Sequence, residues 1–522
     1  MHTPSQAGVI VTVDLSTGDI ASTRHSRSNW YRMLGGRPLV IDRLAQHMDD
    51  ETPVWVLAST PCAGLAIPLC GAATIGYRDS FGTIRTEQIY GSLAAALREC
   101  DIDAVVVTGQ RTSTSHCMIE LIAGSVRLVD SRSPGMDEQL IIGPAANHLW
   151  CGATLSNRQG RRLVDQAGLA LVASGVCGIV YQTPGAAQAI PRSSAADTID
   201  RLVKASPLLS GPCGVQSFGW SALAGLSQSL GMLPVRETQT HHFSNTIEVR
   251  AAHLVGCVGC GIDCFGVDIH QRPDLDWIEL TSFGGFLGCT DQFLLANLGT
   301  FSRHQGISPD WLATILCEVS DTPLECAAQL VSGQLQLATL MELKPERELR
   351  IAGQPLPPFD PRGAVGQALA RLVSPQPGSY HTAFVLAAEL LRKPLSLDGF
   401  SVTGKARLIA LLEDARAAGD GVGACLLSCC AVDVEELAGL LTELFSEKVT
   451  AADLLAIGRR TVLMERRLNH CRDRLTDPRS QLPAFLFEQP GSNGQPPLDY
   501  QQIQQEWHSY EIIRREQEHA SC

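Results

Sequence analysis

Aromatic side chains are scarce in this chain, only 5% of its 522 residues. A core must therefore be built from Leu, Val, Ile and Ala. Basic residues are also short: 41 Lys and Arg stand against 54 Asp and Glu, a net charge of −13. That balance argues against nucleic acid or an anionic membrane as the main partner. No apolar run reaches the length of a membrane span. The nearest, AGLALVASGVCGIVY (167–181), is too short and reads as a buried helix followed by a strand. The opening MHTPSQAGVIVTVDLSTGDI has no basic stretch ahead of an apolar core, so no secretory signal is expected. Internal repeats and low-complexity tracts are absent as well.

Cysteine, by contrast, is plentiful, with 18 residues. Without an export signal these imply a reducing, cytoplasmic setting and mostly free thiols. Most, such as Cys62, Cys100, Cys177 and Cys317, read as small core hydrophobes. Three differ. Cys257, Cys260 and Cys264 fall in HLVGCVGCGIDCFG, a C-x2-C-x3-C run, and a fourth candidate, Cys425, lies about 160 residues further on in AAGDGVGACLLSCC. A close triplet plus one remote cysteine suits a [4Fe-4S] cluster, because three thiolates converge from one loop and the fourth pins a second segment to the same metal. The glycines at 256, 259, 261 and 266 allow tight turns and leave amides free to point at sulfur. His253 and His270 flank the triplet and keep a zinc site open; a disulfide fits a reducing compartment poorly.

At this length two or three domains are expected. Strand-like runs fill residues 8–130: VIVTVDL, PVWVLAS, DAVVVTG, CMIELIAG and SVRLVD, separated by turn signals. A boundary is expected near 190–210. Helical periodicity follows, in DQFLLANLGTF, PDWLATILCEV, TGKARLIALLEDARAAG, DVEELAGLLTEL and the final QQIQQEWHSYEIIRREQEHA. The reading is an α+β chain, β-rich over 1–195 and mainly helical over 196–365 and 366–522. MERRLNHCRDR reads as a solvated helix face, Cys429 and Cys430 as core thiols, and FGGFLG (283–288) is not a dinucleotide loop, since no strand precedes it.

Several segments, in order, resemble the aldehyde:ferredoxin oxidoreductases: VDLSTGDI, LGGRPLV, ASTPCAG, IIGPAANHLWCG, GMLPVRETQ, PPFDPRGAVGQALA, GSYHTA, LDGFSVTGKARLIALLED and IGRRTVLMERRLNHCRDRL. DGVGAC is similar to that family's D-x-x-G-x-C pattern. The resemblance implies a β-rich base domain and two helical domains closing over a tungsten or molybdenum bis-pterin beside a [4Fe-4S] cluster. It implies Cys425, rather than Cys429, Cys430 or Cys471, as fourth cluster ligand, and Asp420 and Gly423 as cofactor-binding residues. It also implies Glu279 and His381 as catalytic groups in the oxidation of an aldehyde to a carboxylic acid, with electrons leaving for ferredoxin or another electron-carrier protein; a homodimer is among the assemblies it admits. A carboxylate could act as general base on water, and a histidine could hydrogen-bond the aldehyde oxygen. The plainer readings are a Glu near a helix start and a core His donating to a carbonyl.

The likeness departs from the family at the pterin contacts. Gly71 and Ala72 stand where an arginine is expected, TIRTEQIYG replaces a Ser/Asn-Gly-Gly stretch, and VDQAGLALVASGVCGIV has lost basic residues. In LLANLGTF, Gly299 persists but Ala296 and Phe301 replace two carboxylates, and Ala383 stands where the family can carry lysine. Phosphates want Arg, Lys, magnesium or helix N-termini. A second expectation is therefore a degenerate paralogue that keeps the cluster, lacks the tungstopterin, and serves as an electron-transfer or assembly subunit.

Overall fold

The computed structural model describes residues 7–26, 34–47, 52–111, 116–130, 138–149, 151–157, 162–164, 166–182, 184–185, 193–211, 215, 257, 260, 267–269, 272–275, 279–289, 291–345, 349–356, 360–391, 397–471, 477–491 and 494–521. Cys264, His253, His270 and the GMLPVRETQ segment lie outside them.

Alternating Val/Ile/Ala runs make the N-terminal region a pair of sheets. The first has six strands: β1 (Ala7–Asp14), β2 (Ile20–Ser26), β3 (Val54–Ala58), β4 (Ala73–Arg78), β5 (Ile84–Ile89) and β6 (Ile102–Thr108), in the order β2-β1-β6-β3-β4-β5. Only β1 and β6 run parallel, with Val11 opposite Val105. The second sheet contains β7 (Cys117–Ile122), β8 (Ser125–Val129), β9 (Glu138–Ile142), β10 (Leu155–Asn157), β11 (Arg162–Val164) and β12 (Val176–Tyr181), ordered β11-β10-β9-β12-β7-β8. One hydrophobic core joins the two, from Val9, Trp55 and Val107 on one side to Ile119, Leu140 and Ile179 on the other. The 167–181 run forms the expected pair, a Gly168–Ser174 helix ended by a left-handed Gly175 and then β12. The sheet is tied to this helix by the Trp55 indole, which donates to Ser174 Oγ at 3.1 Å.

From Ser194 onward the described elements are helical apart from two short hairpins. Within the region 190–210 lies a helix, Ser194–Ala205. It is docked on the Val434–Phe445 helix, where Glu443 accepts from Ser193 and Ser194 hydroxyls and the Ala195 amide.

Four elements meet in the centre: the Gly36–Ala45 helix, which covers the first sheet, and the helices Lys405–Val422, Ala451–Leu468 and Tyr500–Ser521. Their contact is ionic. Arg37 donates from Nε to Glu465 Oε1 at 2.8 Å and from Nη1 to Asp420 Oδ2 at 3.4 Å. Arg416 pairs with the other Asp420 oxygen. Arg514 bridges Glu413 and Asp414, each at 2.7 Å, and Arg466 pairs with Glu511 at 2.6 Å. Glu465 is wholly buried and Arg466 nearly so. MERRLNHCRDR is thus no solvated face at its first residues; partners from other helices neutralise the charges that sequence alone assigns to water. Removing one partner leaves an uncompensated buried charge, which costs about 3–5 kcal/mol. Glu465→Gln should therefore lower unfolding stability by several kcal/mol in chemical denaturation, and Arg459→Gln, whose side chain is 42% exposed, by much less.

Candidate cluster site and the cavity beside it

The DGVGAC motif is folded by its glycines. The Lys405–Val422 helix runs through Asp420 and ends at Gly423, whose φ of 101° only glycine adopts easily; a Cβ there would also stand 2.3 Å from Thr60 Oγ1. Past that turn the chain zips onto the first-domain segment 69–72. The Gly423 carbonyl accepts from the Gly71 and Ala72 amides, and the Cys425 amide donates to the Leu69 carbonyl at 2.8 Å.

This pairing delivers Cys425 to the triplet loop. Cys257, Cys260 and Cys425 join one hydrophobic cluster with Leu69 and Cys70. Burial raises the Cys425 thiol, and the neighbouring Cys260 and Cys257 raise it further. Burial and then Cys260 push Cys257 up to about 12. Two backbone amides aim at sulfur: Leu69 N–H donates to Cys260 Sγ at 3.1 Å and Gly91 N–H to Cys257 Sγ at 3.3 Å. Leu69 does so from φ 62°, a strained conformation for leucine that its surroundings hold in place. A buried Cys260 and half-buried Cys257 and Cys425, with amides aimed at sulfur and Arg416 donating to the Cys425 carbonyl at 2.9 Å, suit thiolates on a cationic metal centre, which would repay their deprotonation. Among the described residues no three His, Cys, Asp or Glu side chains form a site for one metal ion. Soft thiolates held by amide donors are the donor chemistry that a [4Fe-4S] cluster takes.

Arg416 has no place in the sequence reading, though it links the cluster loop to the core. From it runs a continuous polar chain: Asp420, Arg37, Glu465 and then Gln376, whose amide donates to Glu465 at 3.0 Å and to Thr86 Oγ1 at 2.6 Å. Gln376 and Thr86 open onto a cavity of about 50 Å³ whose wall also includes Arg85, Arg371, Tyr380 and His381. Burial lowers His381 to about 3, aided by the guanidiniums of Arg416, Arg371 and Arg37. Its imidazole is therefore neutral near pH 7, with one N–H donor and one acceptor. Glu279 stands at the head of a π-helical turn, Leu280–Phe286, 1% exposed, and accepts from Arg303 at 2.7 Å. It is not in the cavity wall. The structure thus brings Cys257, Cys260, Cys425, Asp420 and Gly423 to one seam, sets His381 on the wall of the cavity that the polar chain reaches, and pairs Glu279 with Arg303.

Residues 10–139 match the family described as aldehyde ferredoxin oxidoreductase, N-terminal domain, and residues 325–510 match aldehyde ferredoxin oxidoreductase, domains 2 and 3. Together they span more than half of the sequence. The chain belongs to the aldehyde ferredoxin oxidoreductase family. Relatives named tungsten-containing aldehyde ferredoxin oxidoreductase include those of Pyrococcus furiosus, 23% identical with 88% of each chain covered, and Pyrococcus abyssi, 22% identical with 93% of this chain and 92% of the relative covered. Among solved structures, the active-site complex BamBC of benzoyl coenzyme A reductase with 1,5-dienoyl-CoA superposes with a TM-score of 0.71, 11% identity, and 98% and 95% of the two chains covered. That likeness shows the fold: α+β, with a β-rich N-terminal region and helical regions after it.

Both Asp420 oxygens are taken by arginines, and the 69–72 segment is paired directly to the 423–425 loop. Two outcomes test the site. Cys425→Ser should lose most cluster iron and its charge-transfer absorbance, while Cys471→Ser, whose buried thiol faces the Pro375 carbonyl, should retain both. His381 has a folded pKa below its unfolded value near 6.5, so it favours the folded state less as pH falls through that value. His381→Gln should therefore lose less stability than the parent between pH 7.5 and 5.5 in denaturant titrations.

Proposed function

We propose that the chain is an iron–sulfur oxidoreductase of the aldehyde ferredoxin oxidoreductase type, with a [4Fe-4S] cluster on Cys257, Cys260, Cys264 and Cys425 that passes electrons to ferredoxin or a similar carrier protein. The convergence of three of these cysteines, with two amides aimed at their sulfurs, supports it. Cys264 completes the set by its spacing in the triplet.

What feeds the cluster divides two readings. The relatives' names favour aldehyde oxidation to a carboxylic acid at a tungsten or molybdenum bis-pterin; there Glu279 would serve as base and His381 as hydrogen-bond donor to the aldehyde oxygen. The self-paired Asp420 favours a cluster-bearing electron-transfer or assembly subunit without that cofactor. We take the first, because the family match and the relatives' names both support it.

Elemental analysis of anaerobically purified protein, expressed with tungstate or molybdate and the pterin pathway, decides between them. About four irons and one tungsten or molybdenum per chain, with extractable pterin and viologen-linked aldehyde oxidation, are expected. Four irons with tungsten and molybdenum far below one would overturn this and leave the cluster-only subunit. Glu279→Gln and His381→Ala should each slow turnover by roughly 10²-fold or more without changing cluster content.

A further inference from the structure

The three segments whose cysteines share the seam have neither lysine nor arginine: TPCAGLAIPLCGAATIGY (60–77), HLVGCVGCGIDCFG (253–266) and DGVGACLLSCCAVD (420–433). The positive charge beside Cys425 comes instead from Arg416, one turn before Asp420 on the Lys405–Val422 helix and buried. Its guanidinium lies across the backbone of the cluster loop. Nη1 donates to the Cys425 carbonyl at 2.9 Å and Nη2 to the Ala424 carbonyl at 3.2 Å. Nη2 also pairs with Asp420. Nε has no hydrogen-bond partner among the described residues.

Asp420 divides its two oxygens between Arg416 and Arg37, so it offsets Arg416 only in part. Burial opposes ionisation of the Cys425 thiol, as do Cys260 and Cys257, while Arg416 and the Leu427 amide act the other way. A cluster on four thiolates gains one negative charge when it is reduced. A fixed cation nearby favours that extra charge, a fixed anion opposes it, and burial keeps solvent from screening either. Hydrogen bonds and charges around the ligand sulfurs are what a protein uses to set such a potential.

We propose that Arg416 is a positioning residue for electron transfer: its guanidinium, held on the Cys425 loop, raises the reduction potential of the cluster, and Asp420 acts as the counterweight. This rests on the [4Fe-4S] reading above. The step concerned is the addition of one electron, which dithionite supplies in the test, with no bond made or broken.

Potentiometric titration of the anaerobic full chain, followed by the paramagnetic resonance of the reduced cluster and paired with iron analysis, tests it. Arg416→Gln should disfavour reduction about tenfold, a midpoint about 59 mV lower for one electron. Arg416→Lys keeps the charge without the fork that spans two carbonyls, and should fall between Arg416→Gln and the parent. Asp420→Asn should shift the midpoint upward. A purely structural pair would lose iron in both variants and leave the midpoint of the remaining cluster unmoved. That result, or shifts of the same sign in Arg416→Gln and Asp420→Asn, would overturn the proposal. Should Arg416→Gln not fold, the midpoints of Arg416→Lys and Asp420→Asn decide alone. A parent without iron and sulfide would sink the cluster reading and this proposal together; an unmoved midpoint at full iron content would sink this one only.

Discussion

The Arg37–Asp420–Arg416 bridge is the contact on which the rest of this structure depends. It joins the helix that covers the first sheet to the helix that ends in the cluster loop, and Glu465 ties both to a third. Ion pairs this deep are expensive to desolvate, and apolar residues would often serve stability as well. What they add is direction. Two planar guanidiniums on one carboxylate fix the end of the Lys405–Val422 helix in position and rotation, and Cys425 follows three residues after that helix.

The cluster seam inherits this placement. Leu69, held in a left-handed conformation, offers its amide to Cys260 and its carbonyl to the Cys425 amide, so one residue orients cysteines from two distant segments. The thiols are otherwise in an environment that opposes their ionisation. Such a site favours thiolate only in the company of cations, which Arg416 and the proposed cluster would supply.

Much of this was legible in the sequence. Alternating Val and Ile runs marked β1, β3, β6, β7 and β8, and the 167–181 segment was recognisable as helix then strand, because period and turn residues are local signals. The cysteine spacing pointed to the seam, while choosing Cys425 among its neighbours required family likeness. The pairing of charges was not legible. Glu465 and Arg466 look solvated in a string of Arg, Glu and Asn, and only partners 428 and 45 residues away in sequence make their burial tolerable. Arg416 and Arg371 were passed over for the same reason: an arginine in a helix carries no local sign of what it will face. Glu279 was placed by likeness, and its partner Arg303 was invisible until the π-helical turn brought the two together.

These pairings also change what the DGVGAC motif can say. Asp420 closes a buried ion network, Gly423 makes a turn that no other residue makes cheaply, and Cys425 sits with two further thiols. Each of the three has a reason to be there in a chain that never binds pterin. The motif is therefore neutral between a tungsten enzyme and a cluster-only subunit. The positions that bear on that choice lie elsewhere, at Gly71, Ala72, Ala296 and Phe301, where the family resemblance implies an arginine and two carboxylates.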